Sequence, residues 1–242
     1  STLKNFNHII TKLNRKTPHE SKSLKYENQR EICYKCYRPK TSCVCEHIVN
    51  PIKTTTKFVI LMHPKEFRKT KNGTGHMTNN SLENCELYVG IDFTNHLRVN
   101  ELLNNKNYEP YVLYPDINSI KLNYQKLPNK KSSLIFIIDS TWPCSKKMLR
   151  LSKNLQNLKK ISFEHDKSSQ FKIKTQPNEY CLSTIESTLC VLEQLNNQHV
   201  ENISKDFLEN FLNPFEKMVE YQIKCAFDEN DIRFKIPYKK SI

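Results

Sequence analysis

Four cysteines lie within thirteen residues of the chain, at Cys33, Cys36, Cys43 and Cys45. Two close pairs of thiols joined by a short turn can converge on one tetrahedral ion, and zinc is the usual ion because it accepts four sulfurs without redox chemistry. A closed shell of four sulfurs leaves no position for water, so the spacing predicts a structural zinc. Disulfides, free thiols and an iron–sulfur cluster are the alternatives. Disulfides are disfavoured because the total of nine cysteines is odd and the other five are scattered.

A carboxylate follows the most apolar segment of the chain. Residues 134–138 form a continuous apolar run that predicts a buried strand, and Asp139, Ser140, Thr141 and Trp142 come directly after it. Ligands of parallel α/β sheets bind at the carboxyl ends of the strands, and a carboxylate there is costly to bury unless it is paired or functional. Asp139 is therefore a candidate catalytic residue. The equal alternative is that it caps the next helix and that Trp142 is an ordinary aromatic anchor.

Two further polar clusters are candidates for a site. Residues 63–76 follow another apolar run and concentrate hydrogen-bonding groups and two of the three glycines, so they predict a substrate or cofactor loop or simply a solvated connection. Ser183, Thr184 and Glu186 form the other cluster, at the beginning of a predicted helix. Helix capping is a sufficient explanation for these three residues.

The elements that must position these residues alternate along the chain. Short apolar runs predict strands at 58–62, 86–90, 111–114, 134–138 and 160–163, and helical spacing predicts helices at 94–105, 143–158, 181–197 and 205–227, the last with a break at Pro214. This alternation is typical of an α/β fold with a mainly parallel sheet. We expect a polar arm at 1–30, a zinc-binding module at 31–50, a catalytic domain at 51–200 and a helical extension at 201–242.

Charge and composition limit the function further. Lys and Arg exceed Asp and Glu by 38 to 25, a net charge of +13, which favours a polyanionic partner such as nucleic acid, although a lysine-rich proteome would also produce such a charge. The three glycines, Gly73, Gly75 and Gly90, stand at positions that fit neither a G-x-G-x-x-G nor a Walker-type phosphate loop. The sequence contains no apolar stretch of the ~20 residues that a membrane helix needs, and its beginning is polar. With reduced thiols, this predicts a cytoplasmic protein.

The motifs together resemble one family. Five segments occur in the order seen in DTW-domain proteins, the tRNA-uridine aminocarboxypropyltransferases. They are Cys33–Cys45 with Arg38-Pro39, His63-Pro64-x-Glu66 through Thr74-Gly75, Tyr114-Pro115, Asp139-x-Thr141-Trp142 and Leu182-Ser183-Thr184-x-Glu186. The resemblance covers about residues 31–195. It implies a SPOUT-like α/β fold with helices on both faces of the sheet and a knotted C-terminal region.

The resemblance also implies a reaction. The family moves the 3-amino-3-carboxypropyl group of S-adenosylmethionine to N3 of a uridine in tRNA and releases methylthioadenosine. Asp139 would act as a base or an orienting group, or would contact the cationic donor, and Thr141 and Trp142 would shape the catalytic pocket. Motif correspondence implies that the cofactor is bound by Tyr114, Pro115, Ser140, Ser183, Thr184 and Glu186. It implies that the substrate is bound by Arg38, His63, Glu66, Asn72 and Thr74.

Two rival functions stay open on the sequence. The first is an RNA methyltransferase that uses the same donor and would yield S-adenosylhomocysteine. The second is a zinc-ribbon RNA-binding protein without catalysis, which the basic charge and the cysteines alone would explain. The placement of Asp139 at a strand end favours the enzyme.

Overall fold

The computed structural model describes residues 31–48, 50–68, 72–128, 130–165, 169 and 181–227. The expected arm at 1–30 and the end of the expected extension, 228–242, lie outside the described residues. From Ile32 onward the chain belongs to one compact unit, which includes both the cysteines and the C-terminal helices.

The described residues form one six-stranded sheet in the order β2-β1-β5-β3-β6-β4, with every pair of neighbours parallel. The strands are β1 (Lys57–Met62), β2 (Cys85–Val89), β3 (Tyr108–Leu113), β4 (Ile120–Lys121), β5 (Ser132–Asp139) and β6 (Lys159–Ser162). The predicted parallel α/β sheet is confirmed, with all five predicted strands. The two-residue β4 was not predicted, because two residues carry no readable periodicity.

Eight α-helices cover the described part of the chain. They are α1 (Pro64–Phe67), α2 (Gly75–Asn80), α3 (Leu97–Asn104), α4 (Trp142–Leu151), α5 (Lys153–Gln156), α6 (Thr184–Asn197), α7 (Lys205–Asn210) and α8 (Asn213–Phe227). The helix predicted at 143–158 is divided at Ser152, whose hydroxyl accepts a hydrogen bond from the Phe93 amide at 3.0 Å. The predicted break near Pro214 is confirmed, since α8 begins beside that proline.

Alternate residues of the strands build two separate cores, one on each face of the sheet. Phe58, Ile60 and Ile135 pack on the face covered by residues of α2, α6 and α8. Val59 and Phe136, their neighbours in the chain, pack on the opposite face with residues of α3, α4 and α5. Because successive side chains of a strand point to opposite faces, the continuous apolar runs follow directly from burial on both sides. None of the helices within the described ranges is long and apolar enough to cross a membrane.

Candidate functional site

The candidate site begins where β1 and β5 end together. The parallel register pairs Met62 with Asp139, the last residues of the two strands, and the His63 amide donates a hydrogen bond to the Asp139 carbonyl at 3.0 Å. Only 8% of Asp139 is exposed. The sheet therefore brings the loop after β1 and the motif after β5 to one edge.

The Asp139 carboxylate is held between two elements. The Thr184 hydroxyl, at the start of α6, donates a hydrogen bond to Asp139 Oδ1 at 2.7 Å. On the other side lies Gly75, the first residue of α2, where a Cβ atom would come closer to Asp139 Oδ2 than van der Waals contact allows and would lie 2.6 Å from the Met62 methyl carbon. Glycine is thus required at position 75 for close approach, because any side chain would displace the carboxylate.

A cavity of about 320 Å³ opens beside this carboxylate at the ends of β3, β5 and β6. Its wall combines apolar side chains with hydroxyls and contains predicted cofactor residues from three motifs, Tyr114, Pro115, Ser140 and Thr184, together with Trp142. The volume lies in the range of about 300–1,000 Å³ that is usual for small-molecule sites. Asp139 is not among the lining residues of this cavity, and Thr184 connects the two through its hydrogen bond.

Two aromatic residues flank the cavity. The Tyr114 and Trp142 rings meet edge to face with centroids 6.0 Å apart. The Lys160 ammonium lies 5.7 Å from the centre of the Tyr114 ring and pairs with Asp116 at 2.7 Å. Trp142 is 46% exposed, so one part of its ring lies against Tyr114 and the rest is accessible from solvent. Thr141, beside it, is exposed and accepts the Ser145 amide through its carbonyl oxygen.

Ser183 and Glu186 lie beside the cavity but cap a helix. The Ser183 amide donates to Glu186 Oε2 at 2.8 Å, and the Ser183 and Ser169 hydroxyls donate to the same carboxylate. Because the Glu186 amide donates in return to the Ser183 side chain, the two residues form a capping box at the beginning of α6. The capping interpretation of the sequence is therefore confirmed, and neither residue is among those that line the cavity in the described structure.

The predicted substrate residues after β1 have local structural partners. His63 caps α1, since its Nδ1 accepts the Lys65 amide at 3.1 Å, and Glu66 is buried in that helix. Thr74 is the buried N-cap residue of α2, and the Asn72 side chain accepts a hydrogen bond from Gln222 of α8 at 2.9 Å. The loop is thus packed against two short helices and α8.

The four clustered cysteines form a candidate metal centre. Cys33 and Cys45 have sulfurs 3.9 Å apart, those of Cys36 and Cys43 are 3.7 Å apart, and all four lie within 4.8 Å of one another. A tetrahedral ion with Zn–S bonds of about 2.3 Å requires sulfurs about 3.8 Å apart, so the arrangement fits one such ion. These four residues are thiols rather than disulfides. Backbone N–H donors lower the pKa of Cys33 to about 6, whereas burial raises that of Cys45.

Arg38 lies inside the molecule, behind the thiols. It is 3% exposed, and its guanidinium contacts the Gly73 carbonyl at 2.9 Å and the Met218 sulfur at 2.8 Å. Burial lowers its pKa, while the nearby thiolates of Cys36, Cys45 and Cys43 oppose this shift. The resemblance implied a contact between Arg38 and tRNA, but the structure places the side chain beneath the surface.

Several residues that complete the site were not predicted. Gly75 receives the Asp139 carboxylate, and the cavity wall also contains Ser145, Ser162, Phe163, His165, Cys181 and Ser187. Gly75 belongs to a family motif and to the polar cluster at 63–76, but neither pattern indicated that it lies against Asp139. The others come from separate elements that only the folded chain brings together.

Comparisons with known proteins identify the family. The DTW domain family model matches residues 30–223. Over 209 residues the chain is 32% identical to tRNA-uridine aminocarboxypropyltransferase 2 of Drosophila melanogaster, covering 75% of this chain and 82% of that protein. It is 25% identical to tRNA-uridine aminocarboxypropyltransferase 2 of Macaca fascicularis, covering 81% and 65%, and 26% identical to tRNA-uridine aminocarboxypropyltransferase A of Arabidopsis thaliana, covering 52% of each. A search of the solved structures finds no significant match. With the family model covering most of its length, this chain belongs to the DTW domain family.

Proposed function

We propose that this protein is a tRNA-uridine aminocarboxypropyltransferase, which moves the 3-amino-3-carboxypropyl group of S-adenosylmethionine to N3 of a uridine in tRNA and releases methylthioadenosine. The observation that carries the proposal is the cavity at the carboxyl edge of the sheet, whose wall contains residues of three family motifs beside the buried Asp139. The names of the relatives support the same reaction.

The residues of the cavity fit S-adenosylmethionine. Apolar side chains such as Leu113, Ile138 and Leu182 suit an adenine ring, and the Ser140 and Thr184 hydroxyls can bind its polar groups. Tyr114, Pro115, Ser140 and Thr184 would hold the donor, with Ser183 and Glu186 maintaining the start of α6 beneath it. Bound there, the donor would supply a sulfonium-activated carbon for alkyl transfer.

Asp139 serves in this proposal as a positioning residue. Its carboxylate accepts the Thr184 hydroxyl, and Thr184 rather than Asp139 lines the cavity. A fixed hydroxyl orients one group of the bound donor, which matters because all three carbons attached to a sulfonium are electrophilic and only position selects one. Direct proton abstraction by Asp139 is the competing role, and it would require the carboxylate to reach the uridine.

Trp142 and Thr141 face the substrate in this proposal. The Trp142 ring is partly exposed at the cavity and is supported by Tyr114, so it offers a surface for the uracil ring. His63, Glu66, Asn72 and Thr74 support the loop that borders Asp139, with buried or hydrogen-bonded side chains, and we assign them to the shape of the substrate side.

The cysteine cluster is assigned a structural zinc. Four sulfurs at tetrahedral separations support one closed site, and such sites stabilise small modules that have little core of their own. Arg38 lies behind the thiolates and joins this module to Met218 of α8, so we assign it to the support of the module.

The SPOUT-like class and the knotted C-terminal region are also part of this proposal. The parallel sheet with helices on both faces supports the class. The prediction of a knot rests on the family resemblance alone. Residues 170–180, which connect β6 to α6, lie outside the described residues.

The test is transfer with the purified protein. Incubation with unmodified tRNA and S-adenosylmethionine labelled in the carboxypropyl carbons should produce a uridine heavier by the whole group, detected by nucleoside mass spectrometry, and an equal amount of methylthioadenosine. Release of S-adenosylhomocysteine with a methylated nucleoside would replace the proposal by an RNA methyltransferase. Binding of tRNA without any donor turnover would identify a non-catalytic RNA-binding protein.

A further inference from the structure

We propose that the tip of the cysteine module is a platform on which an unstacked base of the substrate tRNA stacks. Four residues form this tip: Tyr34, Lys35, Tyr37 and Lys40. Tyr34 supplies the ring, and the two lysines contact the adjacent phosphates. The identity of the RNA rests on the proposed function, whereas the position of the platform rests on the structure of the module.

Tyr34 is the most exposed aromatic residue of the described chain, with 89% of its surface open to solvent. It lies between two of the clustered thiols, Cys33 and Cys36. A tyrosine ring in this position contributes little to a core. It can instead stack on a base, because every base presents a π-face of the same kind.

Two backbone hydrogen bonds close the turn that carries Tyr34. The Cys33 amide donates to the Arg38 carbonyl at 2.8 Å and the Tyr37 amide donates to the Cys33 carbonyl at 2.7 Å, which closes a loop around the exposed ring. Tyr37 has a φ of 58°, the left-handed conformation that such a tight turn requires. A preformed turn loses little conformational entropy when a ligand binds, so the ring is presented at low cost.

The tip is also attached to the helix that borders the candidate site. Asn80, the last residue of α2, donates through its side chain to the Lys35 carbonyl at 2.9 Å. The Tyr37 ring packs against His76 of the same helix, with centroids 4.7 Å apart. Gly75, the first residue of α2, contacts the Asp139 carboxylate. One short helix therefore holds the platform and the candidate site in a fixed relation.

The charge of the tip suits RNA. Lys35, the next residue after Tyr34, and Lys40, at the other end of the turn, are both exposed, in a chain with a net charge of +13. Lysines placed beside an exposed ring match the alternation of phosphate and base along a single strand. An unstacked base in a tRNA loop offers this pattern, whereas the bases of a duplex are already stacked on one another.

The experiment measures the affinity of the full chain for bulk tRNA by fluorescence anisotropy. Tyr34→Ala should weaken binding about 5- to 100-fold, the usual effect of removing one stacking aromatic residue. Tyr34→Phe keeps the ring and should bind like the parent protein. Tyr124→Ala is the matched control, because Tyr124 is a 72% exposed tyrosine outside the module whose hydroxyl donates to Glu164.

Two further measurements make the result decisive. Metal content should be the same in Tyr34→Ala as in the parent protein, which shows that the module is still folded. Lys35→Ala should reduce the slope of log Kd against log salt by about 0.7, the value for one phosphate contact with a single strand. Parent-like affinity of Tyr34→Ala with an intact module would overturn the platform.

The outcome separates the platform from the reaction. If the parent protein transfers the group and Tyr34→Ala binds tRNA normally, the platform is wrong and the reaction stands. If no transfer occurs but Tyr34→Ala loses tRNA affinity and Tyr34→Phe does not, the platform stands and the reaction is wrong.

Discussion

Asp139 combines three features that are typical of a functional carboxylate. It ends a central strand, it is 8% exposed, and its oxygens are enclosed between the Thr184 hydroxyl and Gly75. Burial of a carboxylate without a matched partner is costly, so the hydrogen bond from Thr184 compensates for part of that cost. Substitutions that test this site should therefore target the hydrogen-bonded pair of Asp139 and Thr184.

Asp139→Asn and Thr184→Val should lower kcat by similar amounts, roughly 10-fold, because each weakens a charged hydrogen bond of about 1.5–3 kcal/mol. The double variant should be little worse than either single one, since the two changes remove the same interaction. KM for tRNA should stay unchanged. Steady-state kinetics of the four proteins, with thermal denaturation to check folding, is the measurement. A loss of 100-fold or more in Asp139→Asn with near-normal Thr184→Val would instead identify Asp139 as the base.

Gly75→Ala should damage both stability and activity. The added methyl carbon would overlap the Asp139 carboxylate and the Met62 methyl group, and overpacking of this kind costs about 1–3 kcal/mol. Gly90→Ala is the control, because its Cβ would meet the Phe93 ring at 3.0 Å and not the site. We expect both variants to unfold at lower temperature, but only Gly75→Ala to lose activity per folded molecule. Equal specific activities would separate Gly75 from the site.

At the scale of elements, polar contacts join two parts of the structure to their neighbours. The cysteine module is tied to α2 and α8 through Asn80 and Arg38. At the edge of the sheet, β2 is tied to β1 by an ion pair between Glu86 and Lys57 at 2.8 Å, and to α3 by a second pair with Arg98. Each attachment makes a prediction that can be tested without the reaction.

The cysteine module should lose its metal when Cys36 is replaced by serine. Cys36 is 3% exposed within the cluster, and a zinc site of three thiolates and a hydroxyl binds far more weakly. Metal analysis should give one zinc per chain in the parent protein and much less in Cys36→Ser, with faster proteolysis of residues 31–48. Cys144→Ser removes a thiol outside the cluster and should keep the zinc. Retention of one zinc by Cys36→Ser would contradict the assignment.

We expect Glu86 to make the free energy of unfolding depend on pH under acidic conditions. Burial by itself would raise the Glu86 pKa, but hydrogen bonds from Arg98, Lys57 and Tyr88 lower it from 4.5 to about 2. Between these values the unfolded chain binds more protons than the folded one, so stability is present above pH 4.5 and is lost as the pH falls toward 2.

The difference between the parent protein and Glu86→Gln isolates this effect from the other carboxylates. Urea unfolding at several pH values should show the parent losing up to about 3 kcal/mol across that interval through this one group. Glu86→Gln should be less stable at neutral pH and should lose less on acidification. Parallel pH curves for the two proteins would remove Glu86 from the acid response.

The whole molecule carries a charge of +13 on 242 residues, and its candidate site is open at one edge of a rigid sheet. If tRNA is the substrate, binding must release counterions from the phosphates that the lysines and arginines contact. In that case charge contributes to the affinity for tRNA across the surface. The aromatic residues Tyr34, at the tip of the cysteine module, and Trp142, at the cavity, contribute to the position of the bound RNA.

Affinity for tRNA should fall steeply with salt. The plot of log Kd against log salt should be linear, with a slope of roughly 0.7–0.9 for each phosphate contact. Binding of S-adenosylmethionine, measured by calorimetry at the same salt concentrations, should change much less, because this donor carries no phosphate and the proposed cavity is lined by apolar side chains and hydroxyls. An affinity for tRNA that does not depend on salt would exclude a phosphate-based interface.

The sequence by itself determined the strands, the longer helices and the cysteine cluster. Strands buried on both faces are continuously apolar, and the four thiols of this cluster lie within thirteen residues, so both leave local patterns. Asp139 was identifiable for the same reason, as the first charged residue after such a strand.

Only the tertiary structure decided which separate residues meet. Gly75, Asp139 and Thr184 are far apart in the chain and come together because parallel strands end at one edge and α6 packs over it. It also decided that Arg38 is buried, since burial depends on neighbours that no local pattern specifies. The spacing of residues determines which elements form, whereas packing between elements determines which side chains are exposed to a ligand.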